Sequence, residues 1–235
     1  MNRIGLAVAS VGLVAAALTS CSSDSSFADK DGDEISKDAK DAMSDLTAVK
    51  VAGTISSDGQ DTNIDLQTNT DGDCTGTIGV GEGSAEVLGV EGQFWFRPDE
   101  AFWRQNAGAA ADQILAIVGD KWVVVPAGED DFEQFCDLDQ LLDELLEDSS
   151  SDDDAKFTTG DTEDLDGEEV VAVDREDDDG TSTGYVRVDE PHYLVKIEKS
   201  EGEDTGSVTF SELDEDFEVE VPADDDVVDL NSIGG

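Results

Sequence analysis

The amino-acid sequence predicts an α+β fold: an antiparallel sheet of about ten or eleven strands, curled into a half-barrel, with helices capping its concave face. Two blocks of period-two alternation, over residues 49–96 and 157–221, carry the strands. Before and between them, apolar residues recur at helical spacing. The turns within the alternating blocks are short and rich in Asp and Gly, which suits antiparallel hairpins. A sheet of that many strands bends strongly, and its concave face needs a cover.

In chain order, Ile35, Ala39, Ala42, Met43, Leu46 and Val49 predict an amphipathic helix capped by Asp33 or Ser36. Val49, Val51, Gly53 and Ile55 then alternate with Lys50, Ala52 and Thr54. Asp58-Gly59 turns the chain, and Ile64, Leu66 and Thr68 alternate with Asn63, Asp65 and Gln67. After Asp71-Gly72-Asp73 come Gly76, Ile78 and Val80, then a strand opening at Val87 or Leu88, then Phe94-Trp95-Phe96. This is an up-and-down meander.

Pro98-Asp99 opens a helical insert holding Ala101, Phe102 and Trp103. A second helix runs from Ala109 to Val118 and stops at Gly119. Residues 121–126 read as a strand buried on both faces. Phe132, Phe135, Cys136, Leu138, Leu141, Leu142, Leu145 and Leu146 predict a further amphipathic helix, ending in the acidic loop around Asp152-Asp153-Asp154. Six strand candidates follow: Phe157, Val170–Val173, Tyr185–Val188, Leu194–Ile197, Val208–Phe210 and Phe217–Val221.

The N-terminus reads as an address. A short basic start at Met1-Asn2-Arg3 precedes an apolar run from Ile4 to Leu18, too short to span a bilayer comfortably. Leu18-Thr19-Ser20-Cys21 resembles the bacterial lipobox, which implies a signal peptide over residues 1–20 and a diacylglyceryl group on Cys21. Residues 21–32 read as a flexible acidic tether and residues 33–235 as a single domain. The expected location is the outer face of the cytoplasmic membrane, held by the lipid anchor, since two or more acyl chains anchor stably. Cys74 and Cys136 remain, and an even pair in an exported protein predicts a disulfide.

The 235 residues include 13 basic and 60 acidic side chains, a net charge of −47. This excludes nucleic acid, whose binders need a basic face. It also argues against electrostatic docking on anionic lipid. Hydrophobic residues still make up 37% of the chain, more than a disordered acidic chain would carry. Such a surface repels itself unless salt screens it, which suggests adaptation to high salt.

Several segments, read in order, resemble the LolA-like lipoproteins of actinobacteria, the LppX/LprG group. They are Asp41–Val49 with Gly53, Gly72–Thr77, Phe94–Trp103, Asp120–Val123, Cys136–Asp139, Gly206–Leu213 and Val219–Asp225. The resemblance implies a half-barrel with a helical lid over an apolar cavity that holds or carries acyl chains of lipids, glycolipids or lipoproteins. The extreme acidity departs from that group, so the identity of a ligand does not carry over.

The candidate cavity wall is Ile64, Leu66, Ile78, Val80, Phe94 and Phe96 from strands, with Leu115, Val118, Leu141 and Leu145 from helices. Periodicity reads the same if these side chains simply fill a core. The alternative function is therefore a non-enzymatic envelope interaction or scaffold protein with a filled core. Catalysis is not expected: His192 is the only histidine, and the G-x-S-x-G match at Gly180-Thr181-Ser182-Thr183-Gly184 runs on into the Tyr185–Val188 strand pattern rather than into the helix a nucleophile elbow needs. Asp29-Lys30-Asp31-Gly32-Asp33 starts like a calcium loop, but Glu34 and Lys40 stand where the loop glycine and the bidentate glutamate belong. Neither a metal nor a cofactor is expected, beyond loose collection of divalent cations, and the protein reads as a monomer.

Overall fold

The structure, a computed structural model, describes residues 25–125, 135–147, 155–177, 180–202 and 204–229. The leader with Cys21, the run Asp152-Asp153-Asp154 and Phe132 lie outside them.

A single 12-stranded sheet dominates. Its first meander is β1 (Ala48–Ser57), β2 (Gln60–Asn69), β3 (Cys74–Val80), β4 (Gly83–Val90) and β5 (Gln93–Pro98). The second is β7 (Lys156–Leu165), β8 (Glu168–Asp177), β9 (Gly180–Arg187), β10 (Leu194–Lys199) and β11 (Asp204–Ser211). β1 joins the two, pairing with β2 on one side and β11 on the other. β6 (Trp122–Val124) extends the first meander beside β5, and β12 (Val227–Val228) pairs with it in parallel. The two edges, β12 and β7, do not pair, so the sheet curls but stays open.

The curl needs close backbone approach at β1. A Cβ at Gly53 would stand 2.2 Å from the Ser207 carbonyl oxygen on β11, so only glycine fits there.

Three helical layers cover the concave face. The 13-residue α2 (Gly32–Ser44), preceded by the single turn α1 (Ser25–Ala28), lies over β7, β8 and β10. Its Ile35 and Ala39 pack on Val171, Val173 and Val186. α3 (Glu100–Ala107) and α4 (Ala111–Val118) sit at the other end, where Trp103 and Val118 meet Phe96 and Val123. Asp99 starts α3: its carboxylate accepts from the Phe102 N–H at 2.7 Å and the Ser84 hydroxyl at 2.9 Å. α5 (Leu138–Glu147) crosses the middle, and Leu138, Leu141 and Leu142 bury themselves against Met43, Val51, Leu66 and Phe210.

The predicted α+β half-barrel is present, with differences in detail. Phe217–Val221 forms no strand, and the short parallel pairing of β12 closes the C-terminal side instead. The first helix ends at Ser44, because Val49 is claimed by β1 opposite Thr68. Its N-cap position is Asp31, not Asp33 or Ser36, and the Asp31 side chain makes no capping bond. Within the span read as tether, residues 27–32 pack onto the domain. Phe27 is buried and stacks on His192 with ring centroids 3.6 Å apart. Lys30 bonds Asp38 at 2.5 Å, and its carbonyl accepts from Thr159 at 2.7 Å.

Candidate functional site: a cavity under the helical layer

Residues directly opposite in an antiparallel ladder point to the same face, so the strand register lays the concave face out in rows. The deepest of three rows sets Leu66 opposite Val51 and Val51 opposite Phe210. The next runs Ile64, Gly53, Val208, Ile197, Gly184, Val173. The third runs Thr62, Ile55, Gly206, Lys199, Ser182, Arg175, Phe157. This last row lies within three residues of the β1–β2, β8–β9 and β10–β11 connections, at one end of the barrel.

Between these rows and α5 lies a cavity of about 410 Å³. Ile64, Leu66, Val208 and Phe210 form its floor, and Phe135, Leu141 and Leu145 its roof. A smaller space of about 80 Å³ continues under α2, between Ala39, Met43 and Leu194. Arg175, Ser182 and Ile197 border both. The charged groups around the two spaces are Lys40, Arg175 and Lys199 on one hand, Glu144 and Asp204 on the other. Arg175 is 8% exposed and pairs through its Nη1 with Asp177, two residues along the same strand face.

Of the ten residues expected at the wall, Ile64, Leu66, Leu141 and Leu145 border this cavity. Ile78, Phe94 and Phe96 pack against the same central core but away from it. Val80 stands opposite Thr62, in line with the third row, one strand beyond the cavity. Leu115 and Val118 belong to the separate cluster around Trp103, because α4 covers the β5–β6 end of the sheet. The alternation thus marks the inward face, whereas helix placement selects which part of it stays empty. Ile55, Ile197, Val208 and Phe210 complete the wall from β1, β10 and β11. Their alternation is visible in the sequence, but their meeting with Ile64 follows from β1 pairing with β11.

Cys74 and Cys136 form a disulfide, with Cα atoms 5.1 Å apart, which ties the start of α5 to β3. Gly89 makes room for it: a Cβ there would lie 2.8 Å from the Cys136 sulfur. Thr68, fully buried, donates to the Cys136 carbonyl at 3.1 Å.

On the opposite face, the Tyr185 hydroxyl donates to Glu198 at 2.9 Å. Burial and that carboxylate push the phenol up to about 12. Lys196 and the same tyrosine hold Glu198 below the usual carboxylate range. His192 stacks on Phe27, and its Nδ1 lies 3.2 Å from the Arg187 carbonyl oxygen. No group of three or more His, Cys, Asp or Glu among the described residues could hold a metal. None of their helices is long and apolar enough to cross a membrane.

A curled, unclosed, mostly antiparallel sheet with helices on its concave side is the fold of the LolA-like lipoproteins. LprF from Mycobacterium bovis has the same fold, with a TM-score of 0.56 at 14% identity over 82% of this chain and 97% of that one. The Mycobacterium tuberculosis lipoprotein LppX aligns with a TM-score of 0.50 at 13% identity, over 84% of this chain and 100% of that one. No protein-family model matches the sequence, and no curated protein does.

Proposed function

We propose that this protein is a membrane-anchored envelope lipoprotein that binds acyl chains in the cavity between α5 and the concave sheet, without covalent chemistry. The observation that carries this reading is the cavity itself, about 410 Å³ and walled by Ile64, Leu66, Val208, Phe210, Leu141 and Leu145. Its volume falls within the ~300–1,000 Å³ of ordinary ligand sites, and its walls suit hydrocarbon. Each buried methylene contributes about 0.8 kcal/mol, so a single chain supplies most of the affinity. The fold shared with LprF and LppX supports the same reading. Acylation at Cys21 would hold the cavity beside its lipid source, and the monomer suffices for binding.

The test is native mass spectrometry of the mature protein, extracted from an actinobacterial host in mild detergent. A bound mass in the lipid range, released by organic solvent, is expected. Protein that carries no lipid, and gains none when fatty acid or phospholipid is added, would make a filled-core interaction protein the better account.

A further inference from the structure

Resting on that reading, we propose that Arg175 receives the anionic head, a carboxylate or a phosphate, of the amphiphile whose chain fills the cavity. Arg175 is 8% exposed and stands where the two apolar spaces meet. Asp177 occupies one side of its guanidinium. The Nε–H is buried and has no acceptor among the described residues. Buried donors on charged groups are rarely left unpaired in native proteins, and an acceptor arriving with a ligand accounts for this one. A guanidinium fork fits carboxylate and phosphate oxygens alike.

The surroundings agree. Ser182 lies opposite Arg175 on β9, and Lys199 lies opposite Ser182 on β10, so two cations flank a hydroxyl in one row. That row is at the barrel end, while the apolar rows run inward from it. An amphiphile entering chain-first would leave its head at Arg175. The local charge balance also departs from that of the chain. Three basic and two acidic residues border the two spaces, in a chain with 13 basic and 60 acidic residues. Asp177 brings the local count to parity, still far from the composition of the rest. The acidic exterior repels small anions, so an anion reaches Arg175 only when a buried chain carries it.

The experiment uses the mature protein in phosphatidylcholine nanodiscs, labelled with a photoactivatable fatty acid and with the alcohol of the same chain. The wild type should label about ten-fold more with the acid, as a charge-assisted hydrogen bond predicts. Arg175→Met combined with Asp177→Asn should abolish the preference, bringing acid labelling down to the level of the alcohol in the same variant. Arg175→Lys should keep a preference for the acid, which guards against misfolding of the double variant. Equal labelling of the wild type by acid and alcohol would overturn the role of Arg175 while leaving the acyl cavity standing. A preference that survives in the double variant would overturn it too. Labelling by neither probe would overturn the acyl-binding reading itself. Acetate at the same concentration should not compete, and full competition by acetate would mean a small-anion site instead.

Discussion

Tyr193 donates its phenolic hydrogen to Asp214, and the other oxygen of that carboxylate accepts from both the N–H and the hydroxyl of Thr47, at 2.8 and 2.9 Å. One side chain thereby ties the residue before β10, the turn after β11 and the start of β1. Asp214 also donates its N–H to the Ala48 carbonyl at 2.9 Å. This is the seam where the two meanders become one sheet.

The seam predicts a pH dependence. Partial burial raises the Asp214 pKa, but the bonds from Tyr193 and Thr47 outweigh it and leave the group below the usual carboxylate range. A lowered folded-state pKa contributes stability that is present above the ordinary carboxylate pKa and lost as pH falls through the lowered one. Burial and Asp214 push Tyr193 up to about 12, so its contribution is present below the ordinary phenol pKa and lost as pH rises through about 12. Tyr193→Phe should cost about 1 kcal/mol at neutral pH. Asp214→Asn should flatten the acid limb of stability against pH. Urea midpoints at neutral and acid pH measure both, and an unchanged acid limb in Asp214→Asn would refute the assignment.

The disulfide should matter to stability because it pins α5, the cavity roof, to β3. Replacing both Cys74 and Cys136 by alanine should cost roughly 2–4 kcal/mol. Guanidinium titration with and without reductant reads this directly. A double variant as stable as the oxidised parent would count against the bond.

Filling the cavity separates binding from folding. Ile64 is half-buried at the cavity floor, so Ile64→Trp should block uptake of a fluorescent fatty acid with a small change in melting temperature. Leu66 is fully buried in the central core, and Leu66→Ala should cost about 2–5 kcal/mol instead. Retained uptake in Ile64→Trp would place the ligand elsewhere.

The net charge of −47 predicts a rise in melting temperature between low and molar sodium chloride, as screening relieves self-repulsion. A flat melting temperature across that range would remove the case for salt adaptation.

At the start of α3, Asp99→Ala should cost about 1 kcal/mol, because the Phe102 N–H and the Ser84 hydroxyl lose their shared acceptor. Burial raises the Asp99 pKa, but the bonds from Phe102 and Ser84 outweigh it and hold the carboxyl below the usual range. This contribution too is present above the ordinary carboxylate pKa and lost on acidification. Thermal melts of the variant and the parent at neutral pH check the cost, and equal midpoints would remove the cap from the account.

The α+β class, the two meanders, the amphipathic layers and the inward face of the strands were all legible in the chain before any fold was in view. Each is written in local periodicity: Ile64, Leu66 and Ile78 alternate with polar neighbours, and Leu138, Leu141, Leu142 and Leu145 recur at helical spacing. Cys74 and Cys136 were legible as a pair because the N-terminal run predicts export, and an exported chain has few other uses for an even pair. Other features depend on long-range packing. Phe217–Val221 alternates like a strand yet joins no strand ladder among the described residues, and the edge beside β6 is taken by Val227–Val228. Val118 and Leu141 both recur on apolar helix faces, but α4 packs into a filled cluster while α5 roofs an empty space. Arg175 reads locally as an exposed strand arginine next to acids, and only the row Phe157–Arg175–Ser182–Lys199 brings it to the cavity. The physical reason is that periodicity fixes which face of an element turns inward, whereas an empty space depends on how far apart two such faces come to rest.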